Sequence, residues 1–67
     1  MKSVSGKEMC KILERKGWVH LRTQGSHHIY QKPGVGNISV PVHASKSLKP
    51  GTQRKIMKQA GLNKDDL

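Results

Sequence analysis

The sequence predicts a small α+β protein, a two-layer sandwich in the order α-β-β-β-α with a three-stranded antiparallel sheet. Three observations lead there. Apolar residues recur at helical spacing near each end of the chain, Met9, Ile12 and Leu13 in one segment and Ile56, Met57 and Ala60 in the other. Three short alternating runs lie between them, separated by turn residues at Gln24-Gly25 and at Lys32-Pro33-Gly34-Val35-Gly36-Asn37. Each helical segment is closed by a glycine, Gly17 and Gly61. Both helices can then cover one face of the sheet and leave the other to solvent.

The first helix is expected over Gly6 to Lys16. Ser5-Gly6-Lys7-Glu8 fits a capping box, in which the Ser5 hydroxyl accepts from the Glu8 N–H and the Glu8 carboxylate accepts from the Ser5 N–H. Trp18 to Thr23 alternates and reads as a strand whose buried side is Val19 and Leu21, with Trp18, His20 and Arg22 on the other. After the Gln24-Gly25 hairpin signal, Ser26 to Gln31 makes the second strand and Ile38 to Val42 the third. Pro41 cannot donate to a ladder, so the third strand belongs at an edge or is bulged there. Ala44 to Gly51 is an ordered loop leading into a helix that starts near Pro50 or Thr52. That helix turns Arg54, Lys55 and Lys58 outward, ends at Gly61, and is followed by Leu62, placed to pack back on the helix end.

Sixty-seven residues form one domain spanning 1–67, and a chain of this size buries only about 60% of its unfolded surface. With one Trp, one Tyr and no Phe, the core rests on Val, Ile, Leu and Met. A site on such a core is shallow and open, suited to a polymer. Thirteen Lys and Arg against four Asp and Glu give a formal charge of +9, which concentrates polyanions and makes their binding salt-dependent. Neither helix has the long, strongly apolar face that a membrane surface requires, and no segment has a transmembrane span's length. The single Cys10 excludes an internal disulfide, and the scattered histidines lack zinc-site spacing. A cytoplasmic protein without metal or small-molecule cofactor is expected.

Imidazole titrates near neutrality, so the adjacent His27 and His28 are the candidate proton carriers. Strand parity sets His27 with Ile29 on one face and His28 with Tyr30 on the other. If Ile29 is the core residue, His28 is the more exposed imidazole. His43 follows the third strand, and antiparallel pairing could bring it opposite His27 or one residue away, as a possible assistant. His20 and Cys10 read as ordinary structural residues. Arg22, Lys46, Lys49, Arg54, Lys55 and Lys58 are the candidate phosphate contacts, near the start of the last helix and on the exposed sheet edge. Trp18 and Tyr30 could stack bases, but so few aromatics favour recognition of backbone and shape over sequence.

The succession Gly17-Trp18, Gly25-Ser26-His27-His28-Ile29-Tyr30, Val40-Pro41-Val42-His43, Leu48-Lys49-Pro50-Gly51-Thr52 and Ile56-Met57-Lys58-Gln59-Ala60-Gly61-Leu62 resembles that of the HicA toxins over nearly the whole chain. The resemblance implies a fold like that of double-stranded-RNA-binding domains. It also implies a bacterial or archaeal toxin that cleaves mRNA and is blocked by a HicB antitoxin. In that family the catalytic histidine follows Gly-Ser. Here that is His27, supported by the Gly25-Ser26 turn, with His28 as the alternate. A non-catalytic double-stranded-RNA-binding module is the competing expectation; its Lys-rich helix start is only poorly matched by Lys55-Ile56-Met57-Lys58.

Overall fold

The computed structural model describes residues 2–67, leaving Met1 of the expected domain outside the described residues. In chain order the elements are α1 (Gly6–Arg15), β1 (Val19–Gln24), β2 (His27–Lys32), β3 (Gly36–Pro41) and α2 (Pro50–Ala60), then a 3-10 turn at Lys64–Asp66. The strands form one antiparallel sheet in the order β1-β2-β3. This is the expected α-β-β-β-α arrangement.

Local chemistry accounts for the helix ends. The Ser5 hydroxyl accepts from the Glu8 N–H at 3.1 Å and the Glu8 carboxylate accepts from the Ser5 N–H at 3.0 Å, which completes the capping box. These bonds to Ser5 hold the Glu8 carboxyl below its ordinary value. At the end of α2, the Leu62 N–H donates to the Met57 carbonyl at 2.8 Å and the Gly61 N–H to that of Lys58 at 3.4 Å, with Gly61 left-handed. This is the Schellman pattern, and Leu62 packs on the core as expected.

The core joins Met9 and Leu13 of α1, Ile56 and Met57 of α2, and Tyr30, Ile38 and Val40 of the sheet. It overturns the expected facing of β1. Trp18 is 3% exposed, whereas Val19 and Leu21 are 63% and 43% exposed. Alternation shows that two faces differ but not which of them is inside. Trp18 takes the core position because its ring offers more apolar area than valine, and its backbone N–H is tied to the Leu13 carbonyl at 3.0 Å; the buried indole N–H finds no partner among the described residues. The pairing His20↔Tyr30 and then Arg22↔Ile29 leaves Leu21 as an extra residue, a bulge.

Tyr30, not Ile29, is the core residue of β2: it is 2% exposed, and Ile29 is half-buried. Its hydroxyl, which would be costly to bury alone, donates to the Glu14 carboxylate at 2.6 Å. The third strand runs over Gly36–Pro41 rather than Ile38 to Val42. Pro41 ends an edge strand, where its missing N–H costs least.

Residues before α1, without any expected structure, are stitched into the fold. Val4 is buried, its carbonyl accepts from the Leu48 N–H at 2.9 Å, and Ser5 bridges to Ser47. The buried Gln53 amide accepts from the Val4 N–H at 3.2 Å and donates to the Lys2 carbonyl at 2.6 Å. Replacing Gln53 with Leu leaves the Val4 N–H without an acceptor, at a cost of about 1–3 kcal/mol. A correspondingly lower urea midpoint is expected.

Candidate nucleic-acid interface

Two residues make the turn into β2. Gly25 has φ +59° and Ser26 does not share that sign, which meets the requirement of a II′-type hairpin turn. The turn also anchors the neighbouring strand: the Ser26 carbonyl accepts from the Val42 N–H at 2.7 Å. His27 follows as the first residue of β2 and pairs with Gln24 on one side and Pro41 on the other.

Because Tyr30 faces the core, parity sends His27 outward with Ile29 and Gln31, and across β3 it sends Asn37, Ser39 and Pro41 the same way. His27 is exposed, while His28 is half-buried on the helix-covered side. There its ring centroid lies 5.5 Å from that of His20, whose Nε2 is 2.9 Å from the Thr23 hydroxyl oxygen. The expectation that a core Ile29 makes His28 the more exposed imidazole is therefore reversed.

The outward residues share one cavity with a stripe of α2. Thr52, Lys55, Ile56 and Gln59, at helical spacing, close a cavity of about 450 Å³ whose sheet side is His27, Asn37, Ser39 and Pro41. A second cavity of about 520 Å³ adjoins it, lined by His43, Lys46, Ser47, Leu48 and Lys49 and sharing Pro41 and Thr52 as a wall. His43 is not opposite His27: Pro41 is, and the Val42–Ser26 bond carries His43 one step past the ladder. The two imidazoles line separate, neighbouring cavities that share Pro41 and Thr52.

Lys55 lines the His27 cavity, and Lys46 and Lys49 line the second. Arg22 belongs to β1, paired with the outward-facing Ile29. Arg54 and Lys58 are exposed on another side of α2 and border neither cavity. Asn37, Ser39, Thr52 and Gln59 are polar groove residues that the sequence did not single out for the site. The alternation of Asn37 and Ser39 with Ile38 and Val40, and the spacing of Thr52 with Lys55 and Gln59, were their available signals.

Both large aromatics are internal, so neither Trp18 nor Tyr30 offers a stacking surface. Burial also raises the pKa of the Cys10 thiol, against a smaller opposing effect of its contact with Tyr30. Cys10 is thereby kept protonated and unreactive. Among the described residues, no three His, Cys, Asp or Glu side chains gather closely enough to hold a metal ion, and no helix is long and apolar enough to cross a membrane.

Burial, reinforced by the bond to Glu14, raises the pKa of Tyr30 above its usual 10.0. A raised folded-state value means that this contribution is whole below pH 10 and is lost as the pH climbs above it. Tyr30→Phe should cost about 1.5–3 kcal/mol near neutrality, as expected for a bond to a charged acceptor. As the pH rises above 10 the wild-type urea midpoint should fall relative to that of the variant, shrinking the difference, whereas between about pH 8 and 10 the difference should hold.

The model of the HicA toxin of bacterial toxin–antitoxin systems matches residues 6–62, from the first residue of α1 through Leu62. The chain belongs to the HicA toxin family. The match spans the helix–sheet–helix unit and both cavities, so this HicA family member carries its groove within the part that defines the family. Membership supports a toxin role and, with it, an antitoxin partner. A search of curated proteins gave no match.

Proposed function

We propose that this HicA family member is a metal-independent endoribonuclease that cleaves mRNA in the cytoplasm and is neutralised by a HicB antitoxin. The observation that carries the reading is the position of His27: exposed, outward from the core, and in a groove that Lys55 also lines. The formal charge of +9 draws RNA towards the surface.

In this reading His27 accepts the proton of a ribose 2′-OH as its oxygen attacks the adjacent phosphorus. The P–O2′ bond forms, the P–O5′ bond breaks, and the imidazolium returns its proton to the departing 5′-oxygen. Lys55 offsets the negative charge that gathers on the non-bridging oxygens. One histidine used for both transfers gives a slow enzyme, which a toxin tolerates. The antitoxin blocks the reaction by covering the groove, and the basic surface favours an acidic covering segment.

Incubation of the purified protein with a long single-stranded RNA in EDTA tests this directly. Fragments ending in a 2′,3′-cyclic phosphate and beginning with a 5′-OH are expected. Binding without cleavage would instead support a double-stranded-RNA-binding module, and free 3′-OH ends would rule out the 2′-OH route.

A further inference from the structure

Resting on the ribonuclease reading, we propose that the cavity beside His43 is a second nucleotide subsite, which holds the nucleotide next to the scissile phosphate and grips that nucleotide's own phosphate. Its volume, about 520 Å³, falls in the range of small-molecule sites and far exceeds what one phosphate fills. Its chemistry is that of a nucleotide's two ends. Lys46, Lys49 and the hydroxyls of Ser47 and Thr52 suit a phosphate, no carboxylate lines the cavity to repel one, and Pro41, Leu48 and the His43 ring offer a base an apolar or flat surface.

The cavity is built on fixed backbone. The Val42 N–H is held by Ser26, the Lys46 N–H donates to the His43 carbonyl at 3.0 Å, Ser47 bridges to Ser5, and Leu48 is buried with its N–H on Val4. A loop tied at four points presents its lysines in one place, which lowers the ordering cost of binding. The shared wall of Pro41 and Thr52 then fixes the geometry: a strand with its scissile phosphate at His27 runs directly into this cavity on one side. Cleavage should consequently depend on a phosphate one nucleotide away from the bond being cut.

The test compares two double variants of equal charge, Lys46→Ala/Lys49→Ala and Lys7→Ala/Lys11→Ala. Each lowers the formal charge from +9 to +7, the second on the exposed side of α1. Binding of a fluorescent 2′-O-methyl single-stranded oligonucleotide, which cannot be cut by the 2′-OH route, is followed by anisotropy across a salt series. The first variant should bind roughly tenfold more weakly, with the slope of log K against log salt reduced by about 1.4, while the second stays near wild type. On cleavable RNA the first variant should raise KM and keep kcat, and wild type should cut a trinucleotide better than a dinucleoside monophosphate. Equal losses in the two variants, or no preference for the longer substrate, would overturn the subsite. If wild type cuts no RNA at all, the ribonuclease reading falls, and the binding comparison still decides whether the cavity takes a nucleotide.

Discussion

His27→Ala should lower the cleavage rate of a long single-stranded RNA by about 10²–10⁴-fold, the usual contribution of one general acid–base group. RNA binding should persist, because the proposed phosphate contacts Lys46, Lys49 and Lys55 are untouched. The fold should persist too, since an exposed imidazole at a strand end contributes little packing. His28→Ala makes the decisive comparison. Its ring is half-buried on the opposite face beside His20, so its loss should lower stability while changing the rate only a few-fold. Initial rates in EDTA, with circular dichroism to report folding, separate the two. Should His28→Ala abolish cleavage and His27→Ala spare it, the imidazole on the helix-covered face is the catalytic one and the outward groove is not the site.

That comparison matters because alternation in the sequence left the two histidines unresolved. Helix starts and stops were legible: the Ser5 and Glu8 pair and the Gly61-Leu62 end depend on neighbours within a few residues. The facing of the strands was not, since Ile29 and Tyr30 are each plausible core residues and only the third dimension chooses. Tyr30 fits inside because α1 brings Glu14 within reach of its hydroxyl, sixteen residues back in the chain. The same kind of distant contact hid the role of Gln53, which holds a segment forty-nine residues away. Nor does a bulge at Leu21 leave a mark in an alternating run. For the site, Lys55 and His43 were visible as basic and titratable residues. The shared wall of Pro41 and Thr52, which sets them beside His27, needed the loop from Val42 to Lys49 to be placed in space.

Gly6→Ala should destabilise the protein by about 3 kcal/mol or more, at the upper end of overpacking costs. The methyl group would collide with the Pro41 carbonyl oxygen and lie 3.0 Å from the Val42 Cα. Both obstacles are backbone, so neither can turn aside as a side chain would. Alanine's better helix propensity, at most about 1 kcal/mol, works in the other direction and is too small to compensate. A domain of this size has roughly 3–10 kcal/mol in total at ordinary per-residue stabilities, so the loss is a large share of it. Gly51→Ala supplies the control: it also adds a methyl to a helical glycine, but finds nothing within 4 Å, and should leave the urea midpoint unchanged or slightly raised. An equal response from the two variants would mean that α1 can move off β3 at little cost. If instead Gly6→Ala alone is impaired, the close approach of α1 to β3 is what holds Pro41 in place. Because Pro41 is the wall between the two cavities, the surviving folded fraction should also cleave and bind RNA less well than wild type.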